Sequence, residues 1–257
     1  MTSALAVPMI ELTSLTKRYG ASQIVLDSVN LTISKGEFVS LIGPSGCGKS
    51  TVLKLISGLA VPTSGTISID GMTPKNAREI ISFIFQDATL LPWRTVQQNV
   101  GLGLELEGEA VAKRKEKTSE LLELVKLQHM ADAYPRELSG GMKMRVSIAR
   151  ALATSPRLLL MDEPFAALDE MSRDRLNEEL LRLRAEQDWT AVFVTHSVAE
   201  AVFLSTRIAV LAPNPGRIHT IIPIDLPFPR TAALRDSPEF EERVLHVSHA
   251  LRTALVQ

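Results

Sequence analysis

Apolar and polar positions change rhythm along the 257-residue chain. Val29, Leu31 and Ile33 alternate with Asn30 and Thr32, the period of a half-buried strand, and the first 42 residues predict short strands separated by turns. Lys35-Gly36 predicts a turn. Phe38-Val39-Ser40-Leu41-Ile42 is a brief apolar run suited to a buried strand. It leads into GPSGCGKST, which opens a helix ending near Gly58, and Thr66–Ile69 before Asp70-Gly71 predicts a further strand and turn.

From about Asp87 to Pro156 the pattern turns helical, with Leu121, Leu122, Leu124 and Val125 following a charged KRKEK run that reads as a solvated face. Two apolar strands return at Arg157–Met161 and Thr190–Val194. Leu176, Leu180 and Leu183 lie between them on one helical face. Apolar strand, helix and apolar strand predict a parallel sheet covered on both sides. Beyond Thr206 the chain predicts a hairpin (RIAVL, PNPGR, IHTII) and a last helix, with Ser237 as N-cap and Pro238 at its first position. Its stripe of Phe240, Val244, Val247, Leu251 and Leu255 reads as core or subunit packing, with a regulatory partner site left open.

Composition adds exclusions. Lys and Arg number 28 against 29 Asp and Glu, a formal charge of −1, which argues against a protein devoted to wrapping nucleic acid. The single cysteine, Cys47, excludes an internal disulfide and a multi-cysteine zinc site, and fits a reducing compartment. No run reaches the roughly 18 apolar residues of a membrane span, and MTSALAVPMIE lacks the positive start of a secretory signal. A cytoplasmic protein is expected, so any membrane spanning falls to another chain.

Gly43-Pro44-Ser45-Gly46-Cys47-Gly48-Lys49-Ser50 fits G-x-x-x-x-G-K-[ST] between a predicted strand and a predicted helix. Such glycines let backbone N–H groups turn inward around phosphate, and the helix adds the positive end of its dipole. Lys49 can reach the β- and γ-phosphates of a nucleotide, and the Ser50 hydroxyl can bind Mg²⁺. Asp162 and Glu163 end an apolar strand; Asp162 lies 113 residues beyond Lys49. Paired acids also serve as helix caps or solvated loops, but with a phosphate loop upstream Asp162 fits the magnesium shell and Glu163 can polarise the attacking water. His196 follows another predicted strand, at the edge where such sheets bind ligands, while His129, His219, His246 and His249 carry no motif. Leu138-Ser139-Gly140-Gly141 before MKMRVSIARAL builds a second helix N-terminus suited to an anion. One nucleotide does not need two such ends from one chain, so if both contact ATP the second comes from another subunit.

Together these motifs resemble the nucleotide-binding subunit of an ABC transporter, in that family's order and over nearly the whole length. GPSGCGKST, through Thr51, resembles Walker A, Gln86 the Q-loop glutamine, LSGG the signature and LLLMDEP Walker B. Ala167-Leu168-Asp169 resembles the D-loop, His196 the switch histidine, and Tyr19 the adenine-stacking aromatic, the alternative being a strand-edge tyrosine. The resemblance implies an α/β P-loop NTPase fold: a RecA-like mixed sheet with an N-terminal antiparallel β subdomain and an inserted helical subdomain. It divides one cassette into a core of residues 1–86 and 157–224, a helical signature subdomain 87–156 and a helical extension 225–257.

It further implies a head-to-tail dimer enclosing two ATPs. Tyr19, the stretch Gly43 to Thr51, Gln86 and Asp169 would hold nucleotide, with Ser139, Gly140 and Gly141 serving the partner's ATP. Ser50, Asp162 and Gln86 would hold Mg²⁺, while Lys49, Glu163 and His196 would carry the chemistry. The loop Asp87–Val96 is apolar for a connector; it reads as lobe packing or, more sharply, as a groove for a coupling helix of a transmembrane permease, anchored by Trp93. QDATLLPWRTV, MDEPFAALDE, VTHSVAEAV and PNPGRI resemble importers of the nitrate, sulfonate, taurine and thiamine-precursor group, which work with a secreted or periplasmic solute-binding protein. Such a subunit would sit peripherally on the cytoplasmic face of the membrane. Met142 and Met144 stand where the broad family often has glutamine; Met142 is familiar in this subgroup, whereas Met144 puts the ATP contact of that turn in doubt, and Cys47 reads as a small filler. A soluble ATP-gated clamp acting on nucleic acid is the alternative; a P-loop kinase or GTPase fits less well beside LSGG and His196.

Overall fold

The protein is described by a computed structural model covering residues 8–20, 23–187 and 189–256. Residues 1–7, most of the stretch read for a secretory signal, lie outside the described residues. Strands β1 (Pro8–Tyr19), β2 (Gln23–Ser34) and β4 (Ser64–Ile69) form an antiparallel sheet in the order β2-β1-β4. β1 and β2 run 12 residues each, longer than the short strands expected. Their pairing survives Ser14 and Ser28, both at positive φ (47° and 50°), because register shifts absorb these kinks.

The second sheet has six strands: β5 (Ile81–Ile84), β6 (Leu158–Asp162), β7 (Thr190–Val194), β3 (Phe38–Ile42), β8 (Arg207–Ala212) and β9 (Arg217–Pro223), in that order. All neighbours are parallel except β8 and β9, whose antiparallel pairing matches the predicted hairpin. Alternate residues of the central strands serve different layers. Phe38, Leu159 and Phe193 pack with the helices α5 (Gly140–Leu152), α6 (Glu170–Glu186) and α7 (Val198–Leu204). Val39, Leu160 and Val192 pack toward α1 (Lys49–Ile56) and the antiparallel sheet. This two-sided burial explains the continuous apolar runs in β3, β6 and β7.

Residues 87–156 carry α2 (Val96–Val100), α3 (Leu102–Leu106), α4 (Val111–Leu124) and α5. The last helix, α8 (Pro238–Val256), starts where predicted, with the Ser237 hydroxyl accepting from the Phe240 N–H at 3.2 Å. Its buried stripe runs from Phe240 and Val247 to Ala254; Leu255 is exposed, because 3.6 residues per turn carries the stripe to 254 rather than 255. Among the described residues no helix is long and apolar enough to cross a membrane.

Candidate nucleotide site

Parallel β3, β6 and β7 deliver their C-terminal ends to one edge of the sheet, and each motif sits where its strand stops. β3 enters the loop at Gly43, β6 ends at Asp162 with Glu163 next, and β7 ends at Val194, directly before Thr195-His196. The sheet order therefore brings together residues far apart in sequence.

The loop before α1 is tightly enclosed. A Cβ on Gly43 would lie 2.7 Å from the Leu211 carbonyl oxygen and 2.8 Å from Cys47 Sγ. Gly48 precedes α1 at φ +97°, open to glycine and strained for other residues. Gly216, at the tip of the β8–β9 hairpin, lies directly beneath the loop: a Cβ there would overlap the Cys47 carbonyl oxygen. Its N–H donates to Val25 O at 2.9 Å and its carbonyl accepts from Asp27 N at 3.0 Å, joining hairpin, β2 and loop. The Cys47 thiol is buried, which pushes its pKa up and makes it a poor nucleophile, in keeping with a filler. Lys49 is 6% exposed, and its Nζ donates to the carbonyls of Gly43 (2.8 Å) and Pro44 (3.0 Å), fixing the charge inside the curl.

Ser50 Oγ donates to Asp162 Oδ1 at 2.8 Å. Burial pushes the Asp162 carboxyl up, with the Ser50 bond opposing. These two oxygens fit Mg²⁺, which takes one or two protein carboxylates and keeps water and phosphate oxygens in its shell. No cluster of three or more His, Cys, Asp or Glu suited to a metal occurs among the described residues, so an all-protein cage is not what this edge offers. Glu163 sits at φ +46°, a strained backbone for its type, pinned by its N–H on Val194 O at 3.0 Å. Its Oε2 lies 3.5 Å from His196 Nδ1, and both side chains keep access to solvent, at 26% and 58% exposure. An acceptor carboxylate and an imidazole thus converge beside the phosphate loop.

The remaining predicted residues lie on other elements, each with its own local contacts. Gln86 is exposed just past β5, and Tyr19 presents a half-exposed ring with Lys17 Nζ 4.7 Å from its centroid. Ser139 caps α5, its hydroxyl accepting from Met142 N at 3.3 Å, and Asp169 caps α6, accepting from Ser172 N at 2.9 Å; the Ser172 hydroxyl and then its N–H lower the Asp169 pKa. Gly140 adjoins Leu168, with 3.7 Å from a Cβ to Leu168 Cδ2, so the Ser-Gly-Gly turn lies beside residues 167–169. Among the described residues no hydrogen bond or ion pair joins that turn to the phosphate loop. Met144 is buried in the helical core and Met142 packs against it, which accounts for both methionines by packing.

Two networks escaped the sequence reading. Glu200, 5% exposed in α7, accepts from the Thr195 hydroxyl, whose oxygen accepts from Ser197 N at 3.0 Å. Arg173 of α6 reaches Glu200 at 3.8 Å and donates to Leu168 O at 3.1 Å, so His196 and Asp169 are flanked by one charged tie. Burial pushes the Glu200 carboxyl up, with Thr195 and Arg173 opposing. Second, Asn99, fully buried in α2, donates to the carbonyls of Leu91, Arg94 and Thr95 and accepts from Leu91 N. It shapes the loop that holds Trp93 71% exposed, while Arg150 of α5 grips the same loop at Ala88 and Thr89. Glu200 and Arg173 carry no sequence signal; Asn99 was recognisable only as a polar residue on an otherwise buried helix face.

Known proteins resemble this chain over most of its length. Residues 26–166 match the family described as ABC transporter. The chain is 50% identical over 217 residues to the aliphatic sulfonates import ATP-binding protein SsuB of Bacillus licheniformis, covering 84% of this chain and 83% of that one. It is also 50% identical over 214 residues to the bicarbonate transport ATP-binding protein CmpC of Synechocystis, covering 82% of this chain but 32% of that longer protein. The dimeric post-hydrolysis structure of the ATP-binding cassette MJ0796, bound to ADP and Pi, superposes with a TM-score of 0.76 at 35% identity, covering 85% of this chain and all of that one. With the Lys49 loop, the Asp162-Glu163 strand end, His196 and the Ser139 turn arranged as described, the chain belongs to the ABC transporter family as an ATP-binding cassette.

Proposed function

We propose that this cassette hydrolyses ATP with Mg²⁺ to drive import of a small solute through a membrane permease. The observation that carries this reading is the approach of Glu163 and His196 beside the Ser50–Asp162 pair at the mouth of the Lys49 loop. Lys49 and the loop N–H groups bind the β- and γ-phosphates. Ser50 and Asp162, with Gln86, hold Mg²⁺, which neutralises phosphate charge when bound. Glu163 accepts a proton from the attacking water, and His196 contacts the γ-phosphate and orients Glu163. Tyr19 stacks on the base. Residues 87–156 act as the signature subdomain and 225–257 as an extension of the core.

A second copy supplies Ser139, Gly140 and Gly141 to the γ-phosphate in trans, with Asp169 beside them, so two nucleotides close the dimer and hydrolysis reopens it. The face toward the permease is the Trp93 loop with an adjoining groove of about 490 Å³, lined by Arg94, Gln97, Gln98 and Arg114 among others. A large exposed aromatic beside a polar-rimmed groove suits a partner helix, and it favours a membrane partner over the soluble clamp. The chain then works peripherally at the cytoplasmic face, with a solute-binding protein delivering cargo from outside. The relatives named for sulfonate and bicarbonate point to a nitrate, sulfonate, taurine or thiamine-precursor type of solute.

The test is Glu163→Gln, which keeps shape and removes the proton acceptor. Removing a general base typically costs about 10² to 10⁴ in rate, so hydrolysis falls by that factor while ATP still binds and a dimer accumulates on size exclusion. Turnover at the wild-type rate would remove Glu163 as the base.

A further inference from the structure

A cleft of about 730 Å³, lined by none of the nucleotide-site residues, opens where α6 meets residues 126, 145 and 228–231. Leu181 and Ala185 of α6 make its apolar floor, and Phe228 with Pro229 makes a wall. That wall is rigidly held. Arg230, 3% exposed, donates to the carbonyls of Val202, Phe203, Ser205, Ile224 and Leu226, and its guanidinium lies 4.1 Å from the Phe228 ring centroid. The Phe228 ring is nevertheless 48% exposed, an aromatic surface presented toward the cleft.

The lining carries more cations than acids. Arg145 pairs with Glu179 at 3.1 Å and Arg182 with Glu186 at 2.9 Å. The side chains of Lys126 and Arg175, both exposed on the lining, make no ion pair or hydrogen bond among the described residues; Glu179 acts on Lys126 only through its field, and Glu178 is the other acid of the lining. The volume falls in the ~300–1,000 Å³ range of small-molecule sites, which combine an apolar body with a few polar groups that fix orientation. We infer that this cleft binds a small organic anion with an aromatic body, its ring along Phe228 and Leu181 and its anionic group at Lys126 and Arg175. Lys126 follows α4 and Arg145 belongs to α5, whereas the floor and wall come from α6 and the 228–231 segment. An occupant therefore bridges the signature helix and the core, so it lowers ATP turnover from a distance.

The probe is 1-naphthalenesulfonate, titrated calorimetrically into the full chain with saturating Mg-ADP so that the phosphate loop is closed to it. Binding tighter than about 1 mM is expected, weakened about tenfold or more by Lys126→Gln with Arg175→Gln and by the neutral 1-naphthalenemethanol. ATP turnover should fall as the probe saturates, and ADP affinity of the double variant should match wild type, which separates this site from the nucleotide site. Inorganic sulfate should not bind measurably, because the apolar body is needed. No binding at about 5 mM, equal affinity in the double variant, displacement by nucleotide, or full occupancy with unchanged turnover would each overturn the proposal. Should the double variant melt early, Phe228→Ser asks the same question from the apolar side, with the same tenfold loss expected.

Discussion

The chain carries two glycine-rich helix starts, and their surroundings differ. Around the Lys49 loop, Gly43 and Gly216 leave no room for a Cβ, and Gly48 needs a left-handed backbone. Around the Ser139 turn, a Cβ on Gly141 would meet no atom within 4 Å, and the residue has no positive φ. The first set of glycines is required by this chain's own packing. Nothing within the described chain requires Gly141, and glycine in a helix costs up to ~1 kcal/mol relative to alanine. Its requirement is accordingly sought outside the chain, in a ligand or second subunit approaching an open helix end.

The comparison can be broken at either end. The largest effect is expected from Ser139→Arg in both copies: ATP turnover falls more than about 100-fold, as when one transition-state donor is removed. Nucleotide affinity of the single chain holds, and stability drops by no more than one helix cap, about 1 kcal/mol. Mixed dimers with one intact turn should keep one working interface; equal loss in mixed and doubly altered dimers would deny the exchange between copies. Lys49→Ala should instead weaken ATP binding of the single chain about 10- to 100-fold, since a charged hydrogen bond is worth about 1.5–3 kcal/mol. Gly216→Ala tests whether the hairpin supports the loop: stability falls by about 1–3 kcal/mol from overpacking, and ATP affinity falls several-fold although residue 216 need not touch nucleotide. Gly141→Ala is the smallest and most discriminating change. Thermal unfolding should show stability unchanged or raised by up to ~1 kcal/mol, with turnover reduced; a marked loss of stability would mean that the chain itself needs this glycine.

How much of this was legible in the sequence follows from range. The Lys49 loop, the strand ending at Asp162-Glu163 and the cap at Ser237 are local, so neighbouring residues determine them. Leu176, Leu180 and Leu183 announced a buried face because helical spacing is local as well, and all three are buried. The extent of β1 and β2 was hidden: pairing across the sheet, with register shifts, carries the strands past Ser14 and Ser28. Gly216 gave no hint of its place under the loop, since Cys47 is 169 residues away and only β8 and β9 bring them together. The Thr195–Glu200–Arg173 tie was concealed for the same reason, a buried ionic contact between separate helices.

Arg150 holds Ala88 and Thr89 by three hydrogen bonds from the body of α5, the helix that Ser139 caps at its other end. With Asn99 bracing the same segment, load applied at Trp93 is borne by α5 rather than dissipated in a slack connector. On the proposed reading of Trp93 as the permease contact, a displacement delivered there would reach the Ser139 turn along α5, a rod of about 20 Å at a rise of ~1.5 Å per residue. Loosening this grip should separate partner engagement from turnover while leaving both ends structurally intact.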